Sequence, residues 1–227
     1  DLFYMQKIPI KSIVITGTNG KSTACKLTQH ILKTNRLDAK LGGNIGKPIL
    51  DLKIGRKSVV IIEASSFQLA YAKFIKPTLA VILNITSDHL DWHNTITNYK
   101  NSKLKIFSKQ DGNDIALLSS KRLIKLFKKK NYLGKLKIIK RDNLSREIKK
   151  KINNDYLISE PNLENLVFAN QISRIFKINK KIFLKAVNTF KGLPHRHEVF
   201  IKKNKITFIN DSKATSFEST KHALKNN

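Results

Sequence analysis

The chain has 227 residues, 44 of them Lys or Arg against 16 Asp or Glu, for a formal net charge of +28. Its 41% hydrophobic content is enough for a buried core, yet no apolar run approaches the ~20 residues of a membrane span and no signal-peptide pattern opens it. Cys25 is the single cysteine, which excludes an intrachain disulfide and suits a reducing, cytoplasmic setting. The first residue is Asp1 rather than Met, so the chain is expected to begin inside a longer protein.

In chain order, the first signal is an apolar strand over 12–16. It leads into Thr16-Gly17-Thr18-Asn19-Gly20-Lys21-Ser22-Thr23 and then a helical pattern over 23–34. Strand, glycine-rich loop and helix form the arrangement in which backbone N–H groups and a helix N-terminus cradle phosphates. Lys21 then reaches the terminal phosphates of a nucleotide and the Ser22 hydroxyl faces a Mg²⁺ ion. The usual spacing places a glycine five positions before Gly20; Ile15 stands there, so the loop is a shortened variant.

Gly42-Gly43-Asn44-Ile45-Gly46 has the wrong spacing for a dinucleotide fingerprint and predicts a tight loop approaching a ligand. Further strands are predicted over 58–63, 79–83, 115–118, 136–139, 199–201 and 206–209, with helices over 96–108, 121–129, 163–176, 180–190 and 217–225. Near-continuous apolar strands such as Val59-Val60-Ile61-Ile62 suit a parallel sheet covered on both faces. Alternating elements imply right-handed βαβ units with ligands at the carboxyl ends of strands. The fold class is therefore α/β, a mostly parallel sheet with helices on both faces. The break at Lys191-Gly192-Leu193-Pro194 divides a first domain, 1–193, from an incomplete second one, 194–227.

Candidate chemistry lies at the predicted strand ends. Glu63 ends an apolar strand, where a carboxylate either holds Mg²⁺ or simply faces solvent. The next strand runs into Asn84-Ile85-Thr86-Ser87-Asp88-His89-Leu90-Asp91, in which His89 is either a ligand or a structural histidine. Arg196, in Gly192-Leu193-Pro194-His195-Arg196-His197-Glu198, could clamp phosphate at the hinge. In Asn210-Asp211-Ser212-Lys213-Ala214-Thr215, Asp211 could accept ribose hydroxyls and Lys213 could neutralise a phosphate. The positive charge is dispersed along the chain, as in Lys128-Lys129-Lys130 and Lys149-Lys150-Lys151. It predicts a solvated surface that attracts anionic substrates, with neither nucleic acid nor membrane as a partner.

Taken together, TGTNGKST, GGNIG, EASSFQL, NITSDHLD, GLPHRHE and NDSKAT resemble, in order and spacing, the Mur ligase family across residues 12–223. That family extends to folylpolyglutamate synthases, whose loop typically reads GKGS where Gly20-Lys21-Ser22-Thr23 stands here. The Ser65-Ser66-Phe67-Gln68-Leu69 and Asn210 to Thr215 runs are most similar to its D-glutamate-adding members. The resemblance implies a central ATP-binding domain like that of P-loop NTPases, then the start of a Rossmann-like C-terminal domain, with the UDP-binding N-terminal domain absent. It implies a monomeric enzyme whose substrates are UDP-N-acetylmuramoyl-L-alanine and D-glutamate, joined through an acyl phosphate made from ATP. A chain of this extent is expected to bind ATP weakly without turnover.

By motif, Gly17, Thr18, Asn19, Gly20, Lys21, Ser22 and Thr23 wrap the ATP phosphates. Ser22 and Glu63 serve one Mg²⁺, and His89 serves a second with a carbamylated Lys103. Asn44, Ser65 and His89 touch the muramoyl substrate. Asn162 and Asn165 lie on the adenine side, and Arg196, Asp211 and Lys213 hold the nucleotide across the hinge. Family members usually have Glu at Ser87, His at Pro161 and Phe at His197.

Overall fold

The computed structural model describes residues 1–6, 10–140, 144–196, 198–204 and 206–214. His197, Thr215 and the helix expected over 217–225 lie outside the described residues.

A six-stranded sheet organises the chain in the order β2-β3-β1-β4-β5-β6. Its strands are β1 (Lys11–Thr16), β2 (Ala39–Gly43), β3 (Val59–Glu63), β4 (Leu79–Ile82), β5 (Ile115–Leu118) and β6 (Lys135–Ile138). Every pairing in it is parallel. The helices are α1 (Leu2–Met5), α2 (Lys21–Thr34), α3 (Ser66–Tyr71), α4 (Leu90–His93), α5 (Ile96–Leu104), α6 (Lys121–Lys129), α7 (Arg146–Lys150), α8 (Asp155–Ile158), α9 (Glu160–Ile175) and α10 (Lys180–Thr189). Beyond them, β7 (Glu198–Lys203) and β8 (Ile206–Asn210) pair antiparallel as a separate two-stranded sheet.

Alternation along each strand builds two cores. Ile13, Ile15, Ile61 and Val81 pack with Leu27, Ile31, Phe168, Ile172 and Phe183 of α2, α9 and α10. Val14, Val60, Ile62, Ala80 and Leu118 pack with Leu69, Leu104, Phe107, Leu123 and Phe127 on the other face. A strand buried on both sides reads as a near-continuous apolar run, which is why Ile13-Val14-Ile15 of β1, Val59-Val60-Ile61-Ile62 of β3 and all of β4 are apolar, with the polar residues of β1 and β3 toward the strand ends.

Several boundaries differ from the sequence expectation, each for a local reason. The segment 42–46 is not all loop: Gly42 and Gly43 end strand β2, in register with Ile62 and Glu63. Gly43 sits at φ +106°, and a Cβ there would lie 2.4 Å from the Glu63 carbonyl, so the glycines serve close strand approach. The helix expected from 163 begins at Glu160, since proline is tolerated in a helix's first turn. The helix expected over 96–108 ends at Leu104 and tightens into a 3₁₀ turn over Lys105–Phe107. The short helices α1, α3, α4, α7 and α8 have too few turns for a periodic signal.

The order places β1 between β3 and β4, so the connections after β1 and after β3 leave in opposite directions. This is the topological switch point of an open α/β sheet, where a crevice opens at the strands' carboxyl ends.

Candidate active site

The loop after β1 occupies that crevice. Gly20 caps α2 in the left-handed region at φ +82°, and a Cβ there would stand 2.3 Å from Asn165 Oδ1. Only glycine combines that backbone conformation with that clearance. The turn aims the first N–H groups of α2, which have no partner within the helix, into the crevice.

Two lysines converge on the loop. The Lys21 ammonium donates to the carbonyls of Gly17 (3.0 Å) and Thr18 (2.7 Å). Burial holds it below the usual lysine range, opposed by the Glu63 carboxylate and reinforced by Arg196. Lys103, only 1% exposed, donates to the Gly17 carbonyl at 2.8 Å and to Thr16 Oγ1 at 3.4 Å. Its ammonium lies 4.6 Å from the Tyr99 ring centroid. Burial, and then the neighbouring Lys21 charge, push Lys103 down to about 7, with Asp88 acting in the opposite sense.

Glu63 closes the β3 side. It is 2% exposed; Oε1 accepts from Asn44 Nδ2 at 3.1 Å, whereas Oε2 is buried with no hydrogen-bond partner. A buried carboxylate oxygen without a donor is costly unless a cation satisfies it. That oxygen and the Ser22 hydroxyl at the head of α2 are hard oxygen donors of the kind Mg²⁺ prefers, so the residues present fit the ion. Among the described residues, no cluster of three or more His, Cys, Asp and Glu side chains forms.

The other expected residues divide. Arg196 reaches the loop, Nη2 donating to Ser22 Oγ at 3.4 Å. Asn165 packs against Gly20, and Asn162, buried, donates to the Tyr156 carbonyl at 2.9 Å. Asp211 and Lys213 follow β8, with the Lys213 N–H donating to the His195 carbonyl at 3.1 Å. Ser65 is the N-cap of α3 in a reciprocal capping box with Gln68, so local helix chemistry already engages its hydroxyl. His89 is an exposed residue at φ +51°, its Nε2 3.4 Å from Asp88 Oδ2 and its ring 4.9 Å from Phe67.

Sequence reasoning missed several members of this site. Tyr99 shares a 2.9 Å hydrogen bond with Thr18 Oγ1, and burial pushes its phenol up to about 12. Tyr156 meets Thr23 Oγ1 at 3.2 Å. Buried His93 pairs with Ser66 Oγ at 3.0 Å, and desolvation lowers its pKa. Asn84, just beyond β4, braces the loop and is itself bonded to Glu164 of α9. Tyr99 could have been found by its i, i+4 spacing from Lys103 on one helix face, and Asn84 by its place just beyond a strand end.

The family profile described as the Mur ligase middle domain matches residues 15–165, spanning the loop, Glu63, His89, Lys103 and Asn165. The chain belongs to the Mur ligase family. Its similarity to UDP-N-acetylmuramoylalanine--D-glutamate ligase of Rickettsia felis is 36% identity over 99% of this chain and 54% of that protein. For the same-named ligase of Pseudothermotoga lettingae the values are 38%, 94% and 51%. For that of Buchnera aphidicola subsp. Schizaphis graminum they are 37%, 97% and 52%. The chain thus spans about half the length of the curated relatives it matches. Among solved structures it resembles MurF from Acinetobacter baumannii, with TM-score 0.75 and 15% identity over 99% of this chain and 55% of that one. It also resembles MurF ligase from Thermotoga maritima in complex with ADP, with TM-score 0.72 and 18% identity over 99% and 58%. These Mur ligase structures share the fold of the parallel sheet described above. Among the described residues, no helix of this Mur ligase chain is long and apolar enough to cross a membrane.

Proposed function

We propose that the chain is the ATP-binding part of a cytoplasmic, monomeric ligase that adds D-glutamate to UDP-N-acetylmuramoyl-L-alanine. Residues 1–193 form its central domain, and the segment from 194 begins a second domain. The observation that carries the reading is the buried, unpartnered Oε2 of Glu63 beside a phosphate loop equipped with Lys21 and Ser22. The choice of D-glutamate is supported by the names of the curated relatives.

In this proposal the loop from Gly17 to Thr23 wraps the ATP phosphates, and Lys21 leaves the loop carbonyls to neutralise the terminal phosphate. Ser22 and Glu63 hold a Mg²⁺ ion, which offsets phosphate charge when bound. An oxygen of the substrate's alanyl carboxylate attacks the γ-phosphorus and the bond to ADP breaks, giving an acyl phosphate. The amine of D-glutamate then attacks the acyl carbon, a tetrahedral intermediate forms, and phosphate leaves. Two anions must meet in the first step, so charge neutralisation and positioning carry the catalysis.

Lys103 is proposed to carry a carbamate. A buried amine with a pKa near 7 has a free-base form at neutral pH that can take up CO₂ and release a proton, which turns a donor into an oxygen ligand. With His89, that group serves a second Mg²⁺. Asn44, Ser65 and His89 face the muramoyl substrate. Asn162 and Asn165 border the adenine, and Arg196, Asp211 and Lys213 close on the nucleotide, a role that the Arg196–Ser22 contact supports.

The test is release of inorganic phosphate from ATP by the whole protein. The proposal expects release with UDP-N-acetylmuramoyl-L-alanine plus D-glutamate and none with folate plus L-glutamate. The reverse pattern contradicts it.

A further inference from the structure

Asn84, two residues beyond the end of β4, holds the phosphate loop at several points. Its carbonyl accepts the Thr18 N–H at 3.0 Å, its Oδ1 accepts the Asn19 N–H at 2.9 Å, and its Nδ2 donates to the Asn19 carbonyl at 3.3 Å. The same Nδ2 donates to Glu164 Oε2 at 2.9 Å. The other oxygen of Glu164 accepts from Ser119 Oγ at 3.2 Å, just past the end of β5, and that hydroxyl also lies 3.4 Å from the Leu83 carbonyl.

A side-chain amide can turn over and exchange its oxygen and nitrogen; its partners decide which end faces which way. An ionised carboxylate only accepts, so Glu164 fixes Nδ2 of Asn84 toward itself and Oδ1 toward the loop. Glu164 also belongs to α9, whose next residue, Asn165, packs against Gly20. One helix therefore grips the loop twice, directly at Gly20 and, through the Asn84 side chain, at Asn19.

We infer that Glu164 is a positioning residue for the phosphate loop, acting through the amide of Asn84. This inference rests on the nucleotide-binding reading above. The experiment measures MgATP affinity and, without nucleotide, amide hydrogen exchange across residues 16–23, for the wild type and for Glu164→Ala, Glu164→Gln, Asn84→Ala and the Asn84→Ala/Glu164→Ala double variant. Glu164→Ala and Asn84→Ala are each expected to weaken MgATP binding about tenfold, the scale of one charge-assisted hydrogen bond. Both speed exchange in the loop while the melting temperature and exchange in the core strands stay near wild type. Glu164→Gln, which keeps one acceptor and adds a donor, falls between. The double variant is no weaker than Asn84→Ala alone, because the two act in series. Unchanged affinity and exchange in Glu164→Ala, or losses that multiply in the double variant, overturn the inference. A wild type that fails to bind MgATP while Glu164→Ala still speeds loop exchange overturns the proposed function and leaves the positioning role standing.

Discussion

Lys21 and Lys103 donate to the same acceptor, the Gly17 carbonyl, at 3.0 and 2.8 Å. Two ammonium groups held this close repel one another, and the Lys21 charge lowers the readiness of Lys103 to stay protonated. The partners differ in freedom: Lys21 begins α2 and folds back over the loop, whereas Lys103 is enclosed by Tyr99, Thr16 and the loop itself.

The first prediction concerns Lys103 and pH. Its folded pKa of about 7 lies below its ordinary value of 10.5, so between these values the unfolded chain binds a proton that the folded one does not. Burial of the ammonium therefore costs stability in full below about pH 7, and the cost is relieved as pH rises toward 10.5. Denaturant titrations from pH 7 to 9 should show Lys103→Met losing up to ~1.4 kcal/mol per pH unit of the wild type's upward slope. Carbamate formation follows the free base, so a single ¹³C carbamate resonance from labelled bicarbonate should grow as pH passes 7 and be missing in Lys103→Met.

Lys21→Ala should move that titration. Removing the like charge raises the Lys103 pKa, so the carbamate resonance reaches half intensity at higher pH than in the wild type. An unmoved midpoint would show that the two lysines are not coupled.

Glu63 offers a test through the metal. Glu63→Gln replaces the carboxylate oxygen that no donor meets with an amide nitrogen, which cannot ligate Mg²⁺, while keeping an acceptor for Asn44. It should lose the rise in melting temperature that Mg²⁺ gives the wild type.

Gly20→Ala should cost roughly 1–3 kcal/mol from the left-handed backbone, with a further penalty from the Cβ standing 2.3 Å from Asn165 Oδ1. Adding Asn165→Ala should recover the second part and not the first, as thermal melts of the single and double variants would reveal.

Ser65→Ala separates two roles. Loss of the capping box alone costs about 1 kcal/mol of stability and leaves the KM for UDP-N-acetylmuramoyl-L-alanine unchanged. The proposed substrate contact predicts that KM rises as well.

What could be read in the sequence follows from the range of each signal. The buried strands were legible because the middles of β1 and β3 and the whole of β4 are apolar on both faces, and the phosphate loop because glycine, lysine and serine must be adjacent in the chain. Strand β2 was hidden by its two glycines, whose purpose, approach to the Glu63 carbonyl, exists only once β3 lies beside it. The burial of Lys103 depends on Tyr99, the loop and β1 meeting, and nothing local distinguishes it among so many lysines. Glu164 and Asn84 are 80 residues apart, so their bond belongs to topology alone.

The most direct test of the account is calorimetric titration of the chain with MgATP, set beside Lys21→Ala and Glu63→Gln. The account predicts saturable binding by the wild type, loss of roughly a hundredfold or more in affinity in Lys21→Ala on removal of a desolvated charge partner, and loss of Mg²⁺ dependence in Glu63→Gln. Binding that is equal in the wild type and Lys21→Ala, or no binding by the wild type at all, would contradict it.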